Sequence, residues 1–173
     1  MPDLKPTLAD WAAEVIVTAQ RNLGATVSVK ETNASGTRIK KRRRVASGTL
    51  KRSLSFFVRK GSGNTSVKFI AKGAAARYAD VINQGRRANS KPPPVYAILQ
   101  WMKTKPIRIQ KKGGGFIKTS EKEKEQYAFL IARKIGKYGI AGTHYFTEAV
   151  DQHLPELELS LQYFIEKSIA DVD

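Results

Sequence analysis

The segment YADVINQGRRANSKPPPVYAILQWMK, Tyr78–Lys103, joins two apolar helical patterns through a glycine, a basic tract and three consecutive prolines. On its upstream side AAARYADVINQG (74–85) sets Tyr78, Val81 and Ile82 on one helical face, and Gly85 ends that pattern. On its downstream side Val95, Ile98, Leu99 and Met102 share a stripe with Trp101 alongside, so VYAILQWMKTK is amphipathic and stops before Pro106. Between them RRANSK (86–91) carries too much charge to pack, and Pro92, Pro93 and Pro94 each lock φ. The seam 86–94 is therefore expected to run out extended and exposed, with Pro94 at the first position of the next helix.

Similar punctuation orders the rest of the chain. Thr7 is a candidate N-cap for a helix in which Leu8, Trp11, Ala12, Val15, Ile16, Ala19 and Leu23 recur at three- and four-residue steps, with Gly24 as its stop. ATVSVKET (25–32) alternates like a strand, and NASG (33–36) is a turn. Ser47 is placed to cap a short helix, and FFVRK with TSVKFIAK flank GSGN as a β-hairpin over about residues 55–72. IRIQKKGGGFIK (107–118) reads as two strand pieces about a glycine tip. Ser120 caps a helix whose apolar side is supplied by Tyr127, Phe129, Leu130, Ile131 and Ile135, closed by Gly139 and Gly142. A last helical pattern runs from His144 to about Ala170, and Pro155 is expected to kink or split it. Neither an internal repeat nor a second core is evident. The expectation is one α+β domain over 1–173: a small antiparallel sheet with helices packed against it and long N- and C-terminal helices.

Charge is the strongest compositional signal. The 173 residues carry a net +16, distributed unevenly. Residues 1–31 hold three Lys/Arg against four Asp/Glu, residues 32–120 hold twenty-two against one, Asp80, and residues 121–173 hold six against ten. Such a basic middle repels itself in a compact body unless an anionic partner, or the acidic face of another copy, lies against it. Its densest part is TRIKKRRRVASG, in which six of the seven residues from Arg38 to Arg44 are basic. That stretch, an arm or loop over about 37–46, is either a solvated hairpin arm or a contact for nucleic acid or an acidic protein surface.

Several function classes lose support. No apolar run approaches the roughly 20 residues that span a bilayer, and MPDLKPTLADW lacks the basic and apolar regions of a secretory signal. Without cysteine there are no disulfides or thiolate metal sites, and His144 and His153 are the only imidazoles. Two-metal nucleases need several carboxylates beside a basic groove, and the basic region offers Asp80 alone. Glu121, Glu123 and Glu125 cluster in the first turn of a helix, where acids favour the dipole. Glycines 113–115 lack the spacing of a phosphate-binding loop. No catalytic residue, metal or cofactor is assigned.

Four stretches together resemble the neck or tail-completion proteins of tailed bacteriophages, a family related in fold to tail terminator proteins. SGTLKRSLSFFV (47–58) is similar to the family's G-x-L-x-x-S-I segment followed by a strand. RYADVINQGRR (77–87) is similar to its Y-A-x-x-V/I-x-x-G segment, with Asn83 and Gln84 where many members carry an acid. PPPVYAILQWMKTKP (92–106) is similar to P-P-x-x-x-I-x-x-W, and FLIARKIGKYGIAGTHYFTEAV (129–150) to F-x-I-A-R-K-I-x-x-x-G-I-x-x-x-x-F-x-x-A. The resemblance covers roughly residues 7 to 155, in glycines, aromatics and helix-core residues rather than reactive groups.

It implies a virion protein with no enzymatic activity, assembled in the host cytoplasm into a ring, commonly hexameric or dodecameric, that joins the DNA-filled head to the tail. The implied partners are further copies, head-closure or connector proteins and tail-tube proteins, with DNA in the channel and no membrane. A stiff seam suits such a subunit, because ordering it in contacts costs less entropy than ordering a glycine-rich one. Arg42, Arg43, Arg44, Arg86 and Arg87 are the candidate partner or DNA contacts. The alternative is a small basic protein that coats nucleic acid without sequence preference. A hydrolase using His144 or Asp80 is a third, weaker reading.

Overall fold

The computed structural model describes residues 4–43, 48–104, 109–110, 116–117 and 120–170. In chain order the elements are α1 (Leu4–Gly24), β1 (Thr26–Asn33), β2 (Gly36–Arg43), α2 (Thr49–Ser53), β3 (Leu54–Lys60), β4 (Thr65–Ala71), a 3-10 turn (Gly73–Arg77), α3 (Ala79–Gln84) and β5 (Gly85–Arg86). Then come α4 (Val95–Thr104), β6 (Ile109–Gln110), β7 (Phe116–Ile117), α5 (Glu121–Tyr138), β8 (Ile140–Ala141) and α6 (Tyr145–Ala170). The fold is α+β with long first and last helices, as expected. The strands do not merge into one sheet but pair two by two: β1 with β2, β3 with β4, β5 with β8, and β6 with β7.

The chain divides into two compact units. One comprises Met1–Val27, Arg42–Asn83 and Thr143–Asp173, the other Ser28–Lys41 and Gln84–Gly142. Each has a hydrophobic cluster, where the sequence suggests one core.

In the first unit α1 and α6 run in opposite directions. The Asn22 amide donates to the Tyr145 carbonyl at 3.1 Å, and eleven residues earlier the Trp11 indole N–H donates to the His153 carbonyl at 2.8 Å. Val15, Ala19 and Leu23 meet Tyr145 and Ala149 in the cluster, with alanines permitting close approach. The β3–β4 hairpin covers another side. Its register pairs Leu54 with Ala71, Phe56 with Phe69 and Val58 with Val67, so these side chains share one face. Phe69 is the hub there, 5.7 Å from the Trp11 ring and 5.0 Å from the Phe146 ring, both edge-on. An isolated two-stranded ribbon is marginal in water, and packing on α1 makes this one stable.

Local chemistry departs from expectation at several ends. α1 begins at Leu4 rather than after Thr7, with Pro6 in the first turn, where its missing N–H costs nothing. Ser47 lies outside the described residues, and the α2 N-cap is Gly48 at φ 74°. Helix 74–85 is divided into the 3-10 turn and α3. α6 is continuous through Pro155. Just before that proline the helix is held to α1 through His153, whose Nε2 lies 2.8 Å from Thr18 Oγ1 and whose Nδ1 lies 2.9 Å from Glu156 Oε2.

Tyr145 is 2 % exposed. Burial, then the nearby Asp80 charge and Tyr78, push its hydroxyl up to about 12. An unfolded tyrosine ionises near pH 10, so the folded state favours the protonated form. This contribution is complete below pH ~10 and is lost as pH rises from there towards 12. Chemical denaturation of wild type and Tyr145→Phe between pH 9 and 12 should show wild type losing stability relative to the variant across that window; parallel curves would exclude the effect.

In the second unit α4 lies against α5. Ile98 packs with Ala128 and Ala132, flanked by Val95, Leu99, Met102, Ile131 and Ile135. Ser120 starts α5 with a capping box: the Glu123 N–H donates to Ser120 Oγ at 3.4 Å, and the Ser120 N–H donates to Glu123 Oε2 at 2.7 Å. The Ser120 backbone N–H, together with the Ser120 hydroxyl at 2.8 Å from Glu123 Oε2, holds the Glu123 carboxyl below its ordinary range. Lys124 pairs with Glu121 and lowers that carboxyl too. The glutamate cluster thus builds a helix start.

Candidate functional site

The seam packs, contrary to the reading that it cannot. The last carbonyls of a helix have no partner within it, and here the seam supplies two. The Asn89 N–H donates to the Lys137 carbonyl at 3.2 Å and the Ser90 N–H to the Gly136 carbonyl at 2.9 Å. Gly85 and Arg86 pair with Ala141 and Ile140 as β5–β8. A positively charged segment on the negative end of the α5 dipole is electrostatically favoured. Pro94 sits one position before its expected place: its carbonyl accepts from the Ala97 and Ile98 N–H groups at 3.0 and 3.4 Å, so it acts as the α4 N-cap residue.

This packing separates the candidate arginines. Arg86 is half-buried, its Nε 3.2 Å from Ser90 Oγ and its Nη2 on the Lys91 carbonyl, so its guanidinium shapes the seam. Arg87 is exposed, with its carbonyl accepting from Ser90 Oγ at 2.8 Å. Arg42 and Arg43 are the last residues of β2, and Arg44 lies outside the described residues. On the arm formed by β1 and β2, Lys30, Arg38, Lys40 and Lys41 are exposed. Lys40 makes a 3.5 Å ion pair with Glu31, and the Thr32 and Thr37 hydroxyls meet at 3.0 Å.

Sequence reasoning missed a second basic surface. Facing away from α1, the β3–β4 register sets Ser55 opposite Ile70, Phe57 opposite Lys68 and Arg59 opposite Ser66. Arg59 Cζ lies 5.3 Å and Lys68 Nζ 6.0 Å from the Phe57 ring centroid, two cations against one aromatic face. The adjacent pair Phe56 and Phe57 carried the signal, since strand alternation puts one of them outside.

The acidic counterpart is on α6. Leu157, Leu161 and Phe164 are half-buried, while Glu158, Leu159, Gln162, Tyr163, Glu166 and Ile169 form an exposed side. Leu159 is 67 % exposed, Tyr163 68 % and Ile169 63 %, so this helix presents apolar and acidic groups together. On the second unit Tyr96, Phe129 and Leu130 are also exposed, so the packed side of α5 is formed by Ala128, Ile131, Ala132 and Ile135 and not, as the sequence suggests, by Phe129 and Leu130.

Asn83 ties the start of α6 into the first unit. His144, at φ 50°, occupies the N-cap position, and its own backbone N–H donates to the Asn83 carbonyl at 2.9 Å. The Asn83 side chain provides the cap instead: Oδ1 accepts from the Phe146 N–H at 2.9 Å and the Thr147 N–H at 3.4 Å, and Nδ2 donates to Thr147 Oγ1 at 3.0 Å. Among the described residues no group of three or more His, Asp or Glu is placed to hold a metal, and no helix is long and apolar enough to cross a membrane. No protein-family model, curated protein or solved structure matches the chain.

Proposed function

We propose that the chain is a structural virion protein that forms a ring at the head–tail junction of a tailed bacteriophage and acts through contacts rather than turnover. One observation carries this reading beyond the motifs themselves. Two of the family-like segments, 77–87 and 129–150, meet in space: β5 pairs with β8, and Asn83 caps α6. Residues that look like a fold signature in sequence therefore occupy a structural junction, where glycine and small-residue identity is dictated by close backbone approach. Within the first unit, cations on the outward face of the β3–β4 ribbon and exposed acids on α6 give the subunit two unlike faces, as a closed head-to-tail ring requires.

A virus lacking the chain should accumulate DNA-filled heads and unjoined tails, and electron microscopy of complete particles should place several copies in a ring at the junction. Joined, infectious particles without it would overturn the assignment. The exposed Lys30, Arg38, Lys40 and Lys41 favour, as a second reading, nonspecific binding to nucleic acid. Reversing Arg42, Arg43 and Arg44 to Glu separates the two. Stalled head–tail joining supports the ring, whereas loss of a steeply salt-dependent DNA affinity with joining intact supports the alternative.

A further inference from the structure

We propose that the outward face of β3–β4 in one copy receives the exposed side of the C-terminal half of α6 from the next copy. This rests on the ring reading and specifies its subunit contact.

The ribbon face offers Phe57 and Ile70 as apolar groups, Arg59 and Lys68 as cations, and Ser55 and Ser66 as small polar neighbours. Phe57 belongs to neither hydrophobic cluster, and its only described ring contacts are the two cations. The helix side offers the complement: Leu159, Tyr163 and Ile169 with Glu158 and Glu166. Dimensions agree as well. From Leu159 to Ile169 a helix rises about 15 Å, and from Ser55 to Arg59 a strand spans about 13 Å, so one helix laid along the ribbon covers the patch. Burying Tyr163 and Leu159 beside Phe57 supplies the apolar centre, and the glutamates reach the cations at its rim, the arrangement found in stable protein interfaces. Because the two faces differ and both belong to the first unit, the contact is heterologous and repeats from copy to copy.

A heterologous contact makes a specific prediction. Arg59→Glu with Lys68→Glu spoils only the ribbon face, and Glu158→Lys with Glu166→Lys spoils only the helix face. In sedimentation experiments each double variant should lose the wild-type oligomer and run as a folded monomer, with an unchanged circular dichroism spectrum. Mixed in equal amounts, they should assemble again, since every contact between unlike copies then joins opposite charges: the intact helix side meets the intact ribbon, and the reversed ribbon meets the reversed helix side. A second measurement does not depend on charge. The chain has no cysteine, so Lys68→Cys and Gln162→Cys in one chain should give a ladder of copies with a bifunctional maleimide, while either cysteine alone gives no ladder.

Wild-type sedimentation by either double variant, a mixture that stays monomeric, or absence of the ladder at the highest soluble concentration would overturn the contact. So would loss of affinity for a DNA duplex by the ribbon variant with its oligomer unchanged, which would assign that face to nucleic acid. These results are separable from the ring assignment. A junction ring seen in particles whose copies ignore the four substitutions sinks the contact alone, whereas oligomers formed through it by a chain dispensable for joining sink the junction role alone.

Discussion

Replacing Gly139 by alanine is expected to lower the unfolding free energy by about 3 kcal/mol, counting a left-handed backbone position of about 1–3 kcal/mol and overpacking of similar size. Gly139 sits at φ 71°, and a Cβ built there would collide with the Arg86 carbonyl oxygen and lie 2.9 Å from Ala88 N and 3.0 Å from Arg87 C. All three are backbone atoms, which cannot swing aside as a side-chain end can. Relief requires pulling the seam away from α5, and that movement would weaken the β5–β8 pairing and the hydrogen bonds from Asn89 and Ser90. For a chain of this size the loss corresponds to roughly 6–12 °C in melting temperature. Gly24, with nothing within 4 Å of a built Cβ and no positive φ, is the control, and its alanine variant should melt close to wild type. If Gly139→Ala melts with it, the seam does not hold the end of α5 in the way described.

That prediction also shows where the sequence stops being readable. α1, α5, α6 and the β3–β4 hairpin follow from periods of 3.6 and 2 and from turn residues, all local signals. The seam was misread because its partner lies some fifty residues away. RRANSK looks unpackable until Gly136, Gly139 and the open carbonyls of α5 are set beside it. The sequence holds a trace of this: Ala128, Ala132 and Gly136 are small residues four apart in one helix, a pattern that signals close packing, and here the two alanines belong to the second cluster while Gly136 lies against Ser90 and Pro92 of the seam. Pro155 is a further case, since the expected break lies inside a continuous helix that α1 holds as far as His153, two residues before the proline. For the candidate site, charge pointed to the arm but could not tell the restrained Arg86 from the exposed Arg87. The ribbon face needed the strand register and the position of α1 before Phe57 could be assigned outward.

Asn83→Leu is expected to cost about 2–4 kcal/mol, from unsatisfied N–H groups at about 1–3 kcal/mol each and the lost cap. The side chain is 8 % exposed, so water cannot readily replace it at Phe146, Thr147 and the Thr147 hydroxyl. Asn83→Asp should behave differently. A carboxylate retains both acceptor bonds, the Thr147 hydroxyl can rotate to donate, and negative charge at the start of α6 is favoured by about 0.3–1 kcal/mol. Asp80, three residues earlier on α3, opposes it by a few tenths. Denaturant titrations at pH 7 should therefore find Asn83→Asp closer to wild type than Asn83→Leu. Equal losses for both variants at pH 7 would mean that shape rather than hydrogen bonding matters at this position. The predicted pattern would instead show that an amide or a carboxylate at this position can accept the N–H bonds that start the last helix.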